Sequence, residues 1–447
     1  MGFISSNKKK NNNRVFLDRE DIFRLIEKNV RMYNDQLDFF KLFTFYGMGG
    51  IGKSQLLKEI YNMYQGSNFT LFKYSLEILN QETIPAILLC IRRNFNYTPH
   101  FDYALFRYWD FISYDRLDRE NLYSVSQKIF AKVGKIFDAT VGQGILDTEQ
   151  FVKKIITMCE EKVVTDDERQ TVSELLQDKI ENLYIYLTEN LAADIQKELS
   201  GLKYMFLFDA YDLGRSNYKF DWLKYFINSF DNGIFFVTSR EQLNWFDSDT
   251  DKRVIENHSL ECIPKSEVQK YLLTQDYTQE QINYIIEKTD CIPLYLDLAI
   301  TMDKETLFSP NRIIGFDNKE ELVKNLLSHL SEEEQLIIEY LSVVNLFNEQ
   351  IYNNAIQFNN LSLQKYSFST FQNSTIVRYI EQFNELFKIH DILAHNISYF
   401  VSASIRAQII NDYIAFVHAR ILPDINLNDD IKYNLINNIY YLKHDED

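Results

Sequence analysis

Glycine is scarce in this chain, 13 among 447 residues. Cysteine is scarcer, and its four copies (Cys90, Cys159, Cys262, Cys291) stand far apart without a C-x-x-C pair. That spacing excludes a disulfide framework and a zinc site, and it suits a reducing cytoplasm. No apolar run approaches the ~18 residues of a membrane span. The start, with Lys8, Lys9 and Lys10 before Asn11 to Asn13, lacks the apolar centre of a secretion signal. The expectation is a cytoplasmic protein with no membrane partner. Positive charge is also short: 47 Lys and Arg against 64 Asp and Glu give a net charge of −17. Such a surface repels phosphate backbones and anionic lipid, which disfavours nucleic acid as a general partner. What is present is core material, 46% hydrophobic and 15% aromatic residues. That composition excludes disorder over most of the chain, and the length exceeds what one core serves, so two or more domains are expected.

Against that scarcity, Gly47, Gly49, Gly50 and Gly52 crowd into one short stretch. The segment Leu42-Phe-Thr-Phe-Tyr46 suits a strand buried on both faces of a parallel sheet. After the glycines, Leu56, Leu57, Ile60 and Met63 recur at helical spacing. Strand, glycine loop and helix together match G-x-x-x-x-G-K-[ST], the phosphate-cradling loop of P-loop NTPases. The chemistry accounts for the residue types. Bare backbone over Gly47, Met48, Gly49, Gly50, Ile51 and Gly52 lets consecutive N–H groups converge on a β-phosphate, helped by the positive end of the helix that carries Gln55. Lys53 would reach the β/γ-phosphates, and the Ser54 hydroxyl would ligate Mg²⁺.

Such a site needs a carboxylate at the end of a neighbouring buried strand, and Tyr204-Met-Phe-Leu-Phe208 followed by Asp209 supplies one. Asp209 is the expected Mg²⁺ partner, and Asp212 is a candidate base for the attacking water. Many strands also end in Asp simply to make a turn. A third apolar strand, Ile234-Phe-Phe-Val237, runs into Thr238-Ser239-Arg240. Arg240 therefore reads either as a γ-phosphate sensor, since a guanidinium forks two phosphoryl oxygens, or as a surface charge at a strand end. Spacing alone makes His390 a half-buried histidine at a hairpin end, Pro293 a first-turn helix proline and Arg19 a solvated charge before a helix over 21–30.

The order of these elements resembles the STAND class of P-loop NTPases, signalling ATPases with NB-ARC-type architecture, and in particular bacterial members associated with tetratricopeptide repeats. The resemblance rests on Phe16-Leu-Asp-Arg-Glu20, Gly47 to Ser54, Phe208 to Asp212, Val237 to Arg240, Leu260 to Glu267, Cys291-Ile-Pro-Leu-Tyr-Leu-Asp-Leu-Ala299 and Ile389-His-Asp-Ile392. It implies that Arg19 lies near the adenine, that Pro293 packs on the base and that His390 reaches the β-phosphate of ADP. Asp18 and Cys291 stand where that family has glycine, and Asp212 stands where a longer Glu is common.

The expected fold class is α/β: a P-loop parallel sheet with a large helical insertion, followed by a helical lid and a winged helix. The boundaries are a basic arm over 1–15, the nucleotide-binding domain over 16–259 with its insertion at about 83–201, the lid over 260–328, the winged helix over 329–398 and a C-terminal helical segment over 399–447. Within the insertion, Thr165 and Glu168 open one long amphipathic helix through Leu176, Ile180 and Leu199. A helix is also expected to continue from Ile397 to Leu422. The aromatic stretch from Phe101 to Trp109 reads as core. Function is expected to be that of an ATP/ADP-dependent switch with slow ATPase activity. It would self-associate into a homo-oligomer on activation, with a protein effector or sensor as a further partner. The resemblance implies a role in bacterial antiviral defence or signalling. The alternatives are a DNA-dependent ATPase that uses the winged helix on DNA, and a nucleotide-binding scaffold that never turns over.

Overall fold

The computed structural model describes residues 19–76, 84–114, 161, 163–211, 221–243, 245, 255–301, 330–363, 365–372, 376–379 and 385–444. The chain enters through α1 (Glu20–Asn34), whose Glu20 and Asp21 complement the helix dipole and whose Ile26, Val30 and Tyr33 are buried. It then forms β1 (Leu42–Tyr46), α2 (Lys53–Tyr64) and β2 (Phe69–Ser75). The helices α3 (Ile84–Arg92), α4 (Pro99–Tyr114), α5 (Asp166–Leu175) and α6 (Ile180–Glu198) follow. They lead into β3 (Lys203–Asp209), α7 (Trp222–Asn228), β4 (Ile234–Ser239) and β5 (Ile255–Ser259).

The five strands form one sheet in the order β2-β3-β4-β1-β5. β1 pairs parallel to β4, β4 to β3 and β3 to β2, with Phe43 opposite Phe236 and Phe206 opposite Phe235. This register stacks phenylalanines across strands: centroids are 5.4 Å apart for Phe43 and Phe236, 5.3 Å for Phe206 and Phe235, and 4.7 Å for Phe72 and Phe206. Offset ring pairs of this kind add to the hydrophobic gain of burial. Because β3 and β4 are apolar on both faces, they tolerate only a central position with cover on each side.

Two expectations about helix length are corrected. The helix capped by Thr165 and Glu168 ends at Leu175, and α6 starts afresh at Ile180. Asp178 takes the Asn182 side-chain amide in the intervening turn, a local bond that competes with continued helix. The helix expected from Ile397 to Leu422 is interrupted at Val401, because Ser402 accepts from Ile405 N–H and caps a new start. Phe101, Tyr103, Ala104 and Leu105 of α4 are buried, so the start of the aromatic stretch is core as read.

Downstream come α8 (Lys265–Thr274), α9 (Gln279–Thr289) and α10 (Pro293–Thr301), packed around Val268, Leu272, Ile282, Ile285 and Leu296. Next are α11 (Glu332–Val344), α12 (Glu349–Phe358), α13 (Phe368–Phe371), β6 (Val377–Tyr379) and β7 (Phe387–Ile389). β6 and β7 form the expected antiparallel hairpin, and Phe347 adds an isolated antiparallel bridge to Phe387. Three helices followed by this two-stranded hairpin make a winged helix. The chain ends in α14 (Asp391–Phe400), α15 (Ala403–Phe416), a π turn (Val417–Ile421) and α16 (Asp429–His444). The fold class read from the sequence is therefore the one observed.

The described residues divide into two units. One holds Asp38–Tyr46 and Leu57–His258, with the sheet and the insertion. The other holds the described residues up to Leu37, the loop Gly47–Leu56 and everything from Ser259 onward. Among the described residues, no helix is long and apolar enough to cross a membrane.

Candidate functional site: a glycine loop braced by two segments

β1 carries the site to its position. Leu42, Phe43 and Phe45 are fully buried, and β1 lies between β4 and β5 while the chain leaves it for β2 at the far edge. That reversal of strand order is where open parallel sheets bind ligands, at the carboxyl ends of the strands. Tyr46 ends β1 at this edge and Gly47 follows directly.

The loop needs glycine for two separate reasons. Gly47 has φ +151°, and a β-carbon there would meet the carbonyl oxygen of Leu260 at 2.7 Å, so close approach and backbone shape both forbid a side chain. Gly52 has φ +97° and faces Pro293, whose Cγ would lie 4.0 Å from an added β-carbon. Leu294, at the start of α10, donates its N–H to Gly50 O at 3.2 Å. That amide is one of the donors a helix start leaves without an intrahelical acceptor. Arg19 donates to Glu261 O at 2.8 Å, one residue from the carbonyl that crowds Gly47. The loop is thus held on one flank by Leu260 and on the other by Pro293 and Leu294, all within its own unit.

Lys53 opens α2, and its ammonium donates to Gly47 O at 2.6 Å and Met48 O at 3.0 Å. The cation therefore sits over the loop's own carbonyls. Ile51 is buried, whereas Met48 is half exposed.

On the sheet, Asp209 is the last residue of β3 and only 4% exposed. Its Oδ1 accepts the Thr238 hydroxyl at 2.5 Å, and the Thr238 oxygen accepts Ala210 N–H at 2.9 Å. Arg240 lies beyond the end of β4 and is exposed. Asp212 falls outside the described residues. His390 caps α14: its N–H bonds Ile376 O at 2.9 Å, and its carbonyl accepts from Leu393 and Ala394 at 2.8 and 2.9 Å. The structure thus brings together Arg19, Gly47 to Ser54 and Pro293, while His390 is placed by a different set of contacts.

Mg²⁺ needs hard oxygen donors and keeps several waters and phosphate oxygens, so one or two protein ligands suffice. Among the described residues no group of three or more His, Cys, Asp or Glu could hold a metal by itself. A hydroxyl such as that of Ser54 and a carboxylate such as that of Asp209 are each of the donor type that Mg²⁺ takes.

Cys291 takes φ +57° after Asp290 at φ +50°. This is a backbone shape that glycine adopts more readily, here carrying a side chain. Burial pushes the Cys291 thiol above its ordinary range. Among the described residues, Cys90, Cys262 and Cys291 form no disulfide.

Residue type alone leaves the bracing contacts of the loop unread. Leu260, Glu261 and Gly50 act through backbone carbonyls, which no side chain advertises. Thr238 does leave a signal, a hydroxyl closing an otherwise apolar strand.

No protein-family model matches the chain, and no curated protein matches it. Among solved structures, Cdc6p from Pyrobaculum aerophilum is 13% identical over 89% of this chain and 96% of its own, with a TM-score of 0.32. The ORC2 protein of Aeropyrum pernix, solved with ADPNP and ADP, is 12% identical over 92% and 98%, with a TM-score of 0.34. The ORC1 protein of the same organism, solved with DNA, is 11% identical over 89% and 96%, with a TM-score of 0.32. Scores of this size establish neither shared ancestry nor shared activity.

Proposed function

We propose that the chain is an ATP- and ADP-binding molecular switch of the STAND kind. The observation that carries this reading is the glycine loop itself: positive φ at Gly47, Gly50 and Gly52, the Lys53 ammonium folded over it, and a helix starting at Lys53. Backbone amides of a glycine loop, a lysine and a helix start gathered in one short segment suit a polyphosphate. Lys53 would meet the β/γ-phosphates, while Ser54 and Asp209 would hold Mg²⁺, which supplies charge neutralisation when bound. Pro293 borders Gly52 and would pack on the base, with Arg19 near the adenine. His390 would reach the β-phosphate of ADP and stabilise a resting form. Exchange for ATP would engage Arg240, release the winged helix and permit self-association. Asp212 is assigned to water activation, and hydrolysis is slow because a switch needs a long-lived state. A role in bacterial defence, with an effector or sensor protein as partner, is part of the same reading.

The test is the nucleotide carried through purification, followed by phosphate release with Lys53→Ala and Asp209→Ala as controls. Adenine nucleotide in the wild type, its loss in Lys53→Ala and release above both controls are expected. Bound nucleotide without release would identify a scaffold. Turnover stimulated by duplex DNA, with salt-sensitive binding, would favour the DNA-dependent ATPase instead. Absence of nucleotide at millimolar ATP would sink the proposal.

A further inference from the structure

Two cysteines lie where the braces of the glycine loop meet, all within one unit. Cys262 follows Leu260 and Glu261 on one flank, and Cys291 precedes Pro293 and Leu294 on the other. Ile263 donates its N–H to Cys291 O at 3.1 Å, so the chain beside one cysteine is bonded to the chain at the other. Standard bond lengths then hold their α-carbons within roughly 7 Å, the separation beyond which no disulfide closes without moving the backbone. The two side chains share one apolar cluster with Leu272, Ile285 and Leu296, in which Cys291 is buried and against which Cys262 packs.

The thiols differ in access. Cys291 is 2% exposed, whereas Cys262 is partly exposed. Burial pushes the Cys291 thiol up, the Lys265 ammonium draws it back, and Cys262 and Asp290 push it further up. A buried, protonated thiol is a poor first target, so a reagent from solvent meets Cys262 first.

We propose that Cys262 and Cys291 are a redox pair, closing reversibly into a disulfide that fastens the two braces of the glycine loop to each other. The pairing does not depend on what the loop binds. The oxidant is a small-molecule disulfide. Cys262 gives its proton to solvent and attacks one sulfur of the reagent, whose S–S bond breaks as one thiolate leaves and takes up a proton. Cys291 then loses its proton and attacks the Cys262 sulfur, expelling the second thiolate. Two protein thiols are oxidised, and one reagent disulfide is reduced to two thiols. Excess reagent thiol runs the exchange backward, so the bond senses redox poise rather than holding the fold.

In the test, the full chain is equilibrated with oxidised or reduced glutathione, quenched by alkylation and digested with trypsin. Trypsin cuts at Lys265, Lys270 and Lys288, between the two cysteines. The oxidised sample should yield peptides joined through Cys262 and Cys291, and reduced glutathione should abolish them. Hydrogen exchange of the Gly47 to Gly52 amides should be about tenfold slower in the oxidised sample, because opening the loop then works against a closed link. Cys262→Ser should form no link and exchange equally in both conditions. Glutathione left on Cys262, or a link from either cysteine to Cys90 or Cys159, overturns the pairing. Equal loop exchange in linked and reduced wild type overturns the fastening, as does slowed exchange in oxidised Cys262→Ser.

Discussion

A β-carbon placed on Gly47 would stand 2.7 Å from the carbonyl oxygen of Leu260. Gly47→Ala must therefore move backbone against backbone, and φ +151° adds strain of its own. The expected cost is about 2–3 kcal/mol of stability, together with at least a tenfold loss of ATP affinity. Gly66→Ala is the matched control: φ is +79° there, but nothing lies within 4 Å of the added carbon. It should cost about 1–2 kcal/mol and leave ATP affinity alone. Thermal melts beside nucleotide titrations decide the matter, and equal behaviour of the two variants would refute it.

Cys291 reverses the usual order of core truncations. Removing a buried side chain normally costs more as more is removed, yet φ +57° penalises every residue with a β-carbon. Cys291→Gly should therefore be no less stable than Cys291→Ala, although it deletes one more carbon. Denaturant midpoints of the two variants check this, and a glycine variant clearly below the alanine one would count against it.

The ion pair between Arg92 and Asp102 is buried, with Nη2 to Oδ2 at 2.7 Å and the Asp102 side chain 1% exposed. The Thr98 hydroxyl adds a third donor at 3.0 Å. Asp102→Ala strands a guanidinium in the core and should cost about 3–5 kcal/mol. The loss should barely change between low and high salt, because buried pairs are poorly screened. Urea melts at two ionic strengths measure both statements.

Burial raises Asp194 from 3.8 to about 6, against the opposing N–H of Phe101. A carboxyl group whose folded value exceeds its unfolded one favours the native state most when protonated. Its contribution is thus fully present below pH 4 and is lost as the pH rises through about 6. The stability difference between wild type and Asp194→Asn should accordingly shift against the wild type between pH 4 and 6. A constant difference across that window would show that Asp194 titrates normally.

If His390 holds bound ADP, His390→Ala should shorten ADP retention and enrich oligomers on a sizing column. Identical elution and identical ADP release rates for wild type and variant would argue against its role in the switch.

How much of the molecule is legible in the sequence depends on which atoms hold each part together. β1, the loop and α2 are legible because four glycines clustered in a glycine-poor chain mark a stretch where bare backbone is required. β3 and β4 are legible as apolar runs, and so is the hairpin of β6 and β7. β5 is not: Ile255-Glu-Asn-His-Ser259 is largely polar, and its place comes from the sheet edge beside β1. There Asn257 pairs with the Thr44 hydroxyl, and His258 stacks on Phe43 and Phe45. The turn between α5 and α6 and the restart at Ser402 are hidden because apolar periodicity runs through both breaks. The loop's two braces are hidden more deeply, since Leu260 and Gly50 contribute main-chain oxygens. Arg19 is expected beside the adenine, and its observed bond to Glu261 O records where the guanidinium is anchored.

The bond from Leu294 to Gly50 joins the first turn of a helix to the glycine loop. A rigid rod fastened at one end converts a small tilt there into a larger sweep at the other. A rearrangement that turned the Gly50 carbonyl would therefore be felt along α10 toward Thr301, and under the proposed function occupancy of the loop would reach that end through this amide.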